Sequence, residues 1–175
     1  AGAGRARARA CAARSRYATR PIIGASMAKI SPRGIPVERG KIHEFATAIL
    51  DDHPHYHDVE AARAAGLPSV VAPPSFVMAG ALFEGASVET LAGIDGFDVR
   101  SALHCAQEFV FERPLCAGDV LTGSPGATRS YEKGSGSGGR MKFVEFEIVY
   151  RDQNGDIVVR SRTTAVQAPG VEKAR

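Results

Sequence analysis

The chain has 175 residues, 44% of them hydrophobic and 23% charged, with 22 Lys and Arg against 19 Asp and Glu for a formal charge of +3. That length supports one domain with a substantial core rather than two, and no apolar run approaches the roughly 20 residues of a membrane-spanning helix. Six of the 22 basic residues, all arginine, fall in residues 1–26 with no acid among them, which leaves 16 bases against 19 acids in the remainder. The main body is therefore mildly acidic, which argues against a nucleic-acid-binding face on it.

The opening AGAGRARARACAARSRYATR is Ala/Arg-rich and without apolar periodicity, so residues 1–26 are expected to be a disordered extension and residues 27–175 a single domain. Such an acid-free basic segment also suits an organellar transit peptide or a nucleic-acid-binding tail. Met27, opening MAKISPRGIPVERG, reads like a natural start, so the preceding residues fit an over-extended upstream reading frame. Cys11, Cys105 and Cys116 form no CxxC pair, and their odd number fits reduced thiols in a cytoplasmic protein. Cys105 and Cys116 flank an expected strand and are expected to be buried.

From Val37 the spacing of Ile42, Phe45, Ala46 and Ile49 predicts an amphipathic helix, with Glu38, Arg39, Lys41 and Glu44 on its polar side. It leads into DDHPHYHD, in which Asp51, Asp52, His53, His55, Tyr56, His57 and Asp58 crowd around Pro54. Such a cluster gathers acid/base groups within reach of one another, and Pro54 is expected to stop the helix. Val59 to Ala65 predicts a second short helix closed by Gly66. Val70 to Ala72 suits a short buried strand or turn. Pro73 and Pro74 then open a helix that is apolar nearly all round from Phe76 to Leu82, so other structure must wrap it.

Beyond Gly96 the pattern becomes that of strands. Leu103 to Arg113, Val120 to Ser130, Met141 to Arg151 and Ile157 to Val166 are expected strands, with GSGSGG a flexible connection and Asn154-Gly155 a two-residue hairpin turn. In the third of them Val144, Phe146, Ile148 and Tyr150 share one face and Glu145 and Glu147 the other. His104 is expected at a strand edge or in the core, satisfied by backbone. The order points to an α+β fold, an antiparallel sheet with one buried helix against its concave face.

The succession helix, D-D-H-P-H-Y-H-D, A-x-x-A-G, V-A-P-P-S and Q-E-F-V-F-E-R-P-L-C-A-G-D-V-L resembles the MaoC-like hydratase/dehydratase family of hot-dog proteins over about residues 37–167. It is nearest to the single-hot-dog, N-terminal-type branch of the fatty-acid-synthase dehydratases. The resemblance implies a hot-dog fold, a long sheet wrapped around a central helix. It also implies addition or removal of water at an enoyl or (3R)-hydroxyacyl thioester of coenzyme A or acyl carrier protein. No cofactor and no metal are implied, although the H-x-H-x-H run by itself is a possible ligand pattern. On the family's Asp-x-Asn-Pro-Ile/Leu-His motif, Asp51 takes the Asp position, Pro54 the Pro position and Tyr56 the His position, with His57 one residue along. Asp51 and His57 are thus the expected catalytic pair, and Tyr56, Ser75, Phe76 and Met78 the expected substrate contacts. Pro74 stands where the pattern has a glycine whose N–H serves the oxyanion, and proline has no N–H. Both departures resemble the non-catalytic subunit of heterodimeric dehydratases. A homodimer or heterodimer of hot-dog chains is expected, because dimerisation covers an open sheet edge.

Overall fold

The computed structural model describes residues 20–21, 30–83, 97, 101–134 and 139–167. The strands are β1 (Arg20–Pro21), β2 (Ile30–Pro36), β3 (Ala102–Phe111), β4 (Val120–Gly134), β5 (Arg140–Arg151) and β6 (Ile157–Gln167); the helices are α1 (Arg39–Ala48), α2 (Pro54–His57), α3 (Val59–Ala64) and α4 (Phe76–Phe83). All pairings are antiparallel, in the order β1-β4-β5-β6-β3, and β2 also pairs β4. β1 meets β4 at Ser130 and Arg129 and β2 meets it from Val120 to Gly123, so the two share one edge and the sheet is five strands wide.

β5 lies at the centre. Its alternation puts Val144, Phe146, Ile148 and Tyr150 into one buried cluster with Ile42 of α1 and Phe76 and Val77 of α4. Burying such side chains, at about 25 cal/mol per Å² of apolar surface, is what holds the helices on this concave face. Tyr150 is wholly buried there, and its hydroxyl has no partner among the described residues; burial pushes its pKa up to about 12.

Several expectations need correction. β2 was not expected, and α1 starts at Arg39: Val37 instead exchanges backbone hydrogen bonds with Gly118 and Asp119. Pro54 does not stop α1. It opens α2, at a position where a missing N–H costs nothing. Ile49, expected on the apolar stripe, lies past the end of α1 and is 46% exposed. Cys116 is buried but Cys105 is exposed, because it falls at the bulge between His104 and Ala106, where β3 leaves its regular register. The β5–β6 turn spans Asp152 to Asp156 rather than two residues, because the Asp152 carboxylate accepts the N–H groups of Asn154 and Asp156 and props the loop open. Arg113, expected inside β3, lies just beyond it. The expected GSGSGG connection and the tail from Pro169 lie mostly or wholly outside the described residues, as does the domain boundary at residue 26.

Arg113 clamps three parts of the chain together. Its guanidinium donates to both carboxylate oxygens of Asp119 at 2.8 Å and to Asp152 at 2.9 Å, and Asp119 also accepts the Cys116 N–H. This fork holds the β3–β4 turn against the β5–β6 turn. Arg113 and the two turn N–H groups keep the Asp152 carboxyl below its usual range.

The ends of α1 and α3 are built alike from unlike residues. In α3, Leu67 N–H bonds Ala62 O and Gly66 N–H bonds Arg63 O, with Gly66 at φ 84°. In α1, Asp51 N–H bonds Ala46 O and Leu50 N–H bonds Thr47 O, with Leu50 at φ 60°. Both are Schellman closures, whose left-handed position suits glycine; a leucine there is strained by about 1 kcal/mol. Leu50 is also 92% exposed, so little packing offsets the strain. Leu50→Gly is therefore expected to stabilise the isolated chain by about 1 kcal/mol in urea unfolding; a loss of stability would show that the leucine side chain is held by contacts within the chain.

Candidate functional site

The Schellman closure of α1 delivers Asp51 to the head of the histidine cluster. One oxygen of its carboxylate accepts the His53 N–H at 3.2 Å, a side-chain-to-backbone bond that favours the turn before Pro54. His53 then caps α2, its Nδ1 accepting the His55 N–H at 3.4 Å. Asp58 ends α2 and caps α3 through its side chain, which accepts the Glu60 N–H at 2.8 Å. The loop is tied to the sheet in two steps. Val71 N–H bonds His55 O, and Ala72 N–H and Val70 O bond Leu115 O and Ala117 N–H.

His57 uses both ring nitrogens within this turn. Nε2 lies 3.0 Å from the main-chain oxygen of Asp51, and Nδ1 lies 2.7 Å from Nδ1 of His43 on α1, the two rings meeting edge to face. A carbonyl only accepts, so Nε2 carries the hydrogen; in the neutral pair the Nδ1 of His57 then accepts from that of His43. His57 thus meets the backbone of Asp51, while the Asp51 carboxylate bonds the His53 N–H. No spacing pattern marks His43 as a partner: it lies 14 residues before His57 on the polar side of α1, and the two meet only because the chain folds back at Leu50.

Tyr56 is the side chain that feels the Asp51 carboxylate. It is half-buried and packs against the core cluster, with the His53 ring beside it. Burial, and then the charge of Asp51, raise its hydroxyl above the ordinary value of 10.0. Near neutral pH it is a hydrogen-bond donor, and a poor proton acceptor. The other expected contacts lie at the start of α4. Phe76 is buried edge-on to Phe45 of α1, Met78 is half-buried, and Ser75 is exposed in the first turn, its carbonyl taken by the Met78 N–H. His53 and His55 pack ring against ring, and among the described residues no three His, Cys, Asp or Glu side chains are placed to hold a metal ion. No described helix is long and apolar enough to cross a membrane. His104 is not satisfied by backbone: its Nε2 lies 3.3 Å from the side-chain oxygen of Gln107.

Residues 22–161 match the family model of the FAS1-like dehydratase domain region. The chain belongs to that family. Among its relatives is a UPF0336 protein of Streptomyces griseus, 37% identical over 130 residues that cover 74% of this chain and 83% of the relative. A UPF0336 protein of Clavibacter michiganensis is 37% identical over 142 residues, 79% of this chain and 90% of the relative. Among solved structures, a chain of the C-terminally truncated HadBC (3R-hydroxyacyl-ACP dehydratase) complex from Mycobacterium tuberculosis superposes with a TM-score of 0.58 at 25% identity, covering 82% of this chain and 99% of that one. A MaoC-like dehydratase superposes with a TM-score of 0.64 at 24% identity over 82% of this chain and 41% of that one. The curled antiparallel sheet of this family member is the hot-dog fold of the MaoC-like dehydratases.

The Tyr56 environment makes a spectroscopic prediction. In a phenolate absorbance titration, with Tyr56→Phe subtracted to isolate the residue, Tyr56 is expected to ionise above pH 10, and Asp51→Asn to lower that midpoint without bringing it below the ordinary value, because burial remains. An unchanged midpoint in the variant would separate the two side chains electrostatically.

Proposed function

We propose that this chain is the acyl-holding subunit of a hydratase or dehydratase acting on enoyl or (3R)-hydroxyacyl thioesters of coenzyme A or acyl carrier protein, and that a second hot-dog chain supplies the acid and base. The observation that carries this reading is the engagement of His57, whose two ring nitrogens are taken by His43 and the Asp51 backbone. Adding water to the enoyl thioester puts the oxygen on C3 and a proton on C2, and charge gathers on the thioester oxygen in between. The chemistry therefore needs an imidazole-carboxylate couple and an N–H donor. Tyr56 stands at the imidazole position of the motif and Pro74 at that of the donor. What remains is suited to holding: the Tyr56 hydroxyl as a donor, the exposed Ser75 ahead of α4, and Phe76 and Met78 as apolar surface.

The partner is assigned to the β3 edge. β3 pairs β6 on one side, and its Leu103 is 63% exposed. The similar Mycobacterium tuberculosis structure is a complex, and a strand added at β3 would satisfy the edge that no strand pairs among the described residues. The free thiols of Cys105 and Cys116 fit the reducing cytoplasm as the setting.

A second reading makes this chain the hydro-lyase itself, with Asp51 and His57 as its acid/base pair. It is favoured by the 3.0 Å contact that keeps the His57 ring beside Asp51. Hydration of crotonyl-CoA and of a longer enoyl-CoA by the purified chain, followed as loss of enoyl-thioester absorbance at neutral pH, separates the two. The proposal expects acyl-CoA binding with negligible turnover, and binding changed less than about twofold, under 0.5 kcal/mol, by Asp51→Asn. Turnover abolished by the same substitution would establish the second reading.

A further inference from the structure

α2 is four residues long and contains no buried residue, so polar contacts hold it rather than packing. At its start the His53 Nδ1 accepts the His55 N–H. At its end the His57 ring bridges the His43 Nδ1 at 2.7 Å and the Asp51 main-chain oxygen at 3.0 Å, which joins α2 to α1. Between these two ends stands Tyr56, and the Val71 N–H bonds His55 O.

Each histidine contact limits what its ring can carry. A backbone N–H only donates, so the His53 Nδ1 that accepts it is bare. The 2.7 Å between the Nδ1 atoms of His43 and His57 has room for one hydrogen, whichever ring owns it. A first proton added to the neutral pair goes to Nε2 of exposed His43, which has no partner among the described residues. That proton leaves the contact in place and makes it charge-assisted. The next has only the bare Nδ1 between the rings to go to, and two N–H groups and two charges then face each other at hydrogen-bond distance. That state must part. Protonating Nδ1 of His53 removes the bond at the other end of α2 in the same way.

The charged groups around the turn come from three elements. They are Arg39 and the Lys41–Glu44 pair on α1, Asp51, Asp52 and Asp58 beside α2, and the Glu60–Arg63 pair on α3. Carboxylates ordinarily titrate near pH 4 and Lys and Arg above about pH 10, whereas imidazole ordinarily titrates near pH 6.5. Between about pH 7.5 and about pH 5.5 the changing charges are therefore those of His43, His53, His55 and His57.

We propose that α2 is a pH-sensitive clasp, closed by His53 and by the His43–His57 pair, that holds Tyr56 in place for the acyl chain and opens in mild acid. The proposal rests on the acyl-holding reading above and adds its regulation. The open form carries more protons than the closed one. Acyl affinity is therefore full above the imidazole range and is lost as pH falls through it.

The test follows α2 and acyl binding separately, on wild type and on the His43→Gln/His53→Asn variant, with melting temperatures to confirm folding at each pH. A glutamine amide can give or take a hydrogen bond at Nδ1 of His57, and an asparagine caps a helix without titrating. In the free chain, the hydrogen-exchange protection of the Tyr56, Asp58 and Val71 amides, corrected for the intrinsic effect of pH, is expected to fall roughly tenfold in wild type from about pH 7.5 to about pH 5.5. In the variant it is expected to change less than about twofold. Over the same range, octanoyl-CoA affinity by titration calorimetry is expected to fall at least about fivefold more in wild type than in the variant, for which titration of the ligand's own phosphate is the shared baseline. Constant protection in wild type, or an equal fall in the variant, would overturn the clasp. A fall in protection with equal affinity ratios would overturn its control of acyl binding. Absence of octanoyl-CoA binding at both pH values would overturn the acyl-holding reading, and the exchange data would still decide the clasp.

Discussion

The burial of one face of β5 is the constraint on which the rest of the molecule depends. Val144, Phe146, Ile148 and Tyr150 point to one side of a strand hydrogen-bonded on both edges, and α1 and α4 are held by covering them. A one-residue slip would exchange these residues for Glu145 and Glu147, so the register is strongly specified. Every functional feature inherits its position from that register. The start of α4 is laid across the sheet, the β3–β4 turn is bonded to Val70 and Ala72, and the loop at His55 is tethered through Val71.

On this frame the histidine cluster is a tightly organised turn. Asp51, His53 and Asp58 each accept a main-chain N–H, and His57 is bound between His43 and the Asp51 carbonyl. These bonds place Tyr56 half-buried beside a carboxylate, as a persistent donor. The strain at Leu50 lies directly before Asp51, so the turn is set by a residue poorly suited to its conformation.

Much of the sheet was legible in the sequence because alternation is a direct record of burial. β5 and β6 fall within a residue or two of their expected limits, and the apolar run after Pro73 and Pro74 forms α4 as its composition demands. Other features left no such record. The end of α1 carries no glycine, so Pro54 looked like its stop signal, although the helix had already closed at Leu50. The Asn154-Gly155 pair suggested a two-residue turn, and the side chain of Asp152 widened it. Cys105 was expected inside because a bulge cannot be read from residue types. The same bulge hid the His104–Gln107 contact, and the His43–His57 contact depends on a reversal of the chain rather than on spacing. The departures at Tyr56 and Pro74 were visible from the motif alone, but the engagement of both His57 nitrogens was not.

The measurement that most directly tests the central claim, that the concave face between the sheet and α4 holds an acyl chain, is photo-crosslinking with an acyl-CoA bearing a diazirine along the chain, mapped by mass spectrometry. The account predicts adducts on concave-face and α4 residues such as Met78, Phe109 and Ile148, competed away by unlabelled acyl-CoA. Competable adducts confined to the opposite face, around Arg129, Glu145 and Arg162, would contradict it.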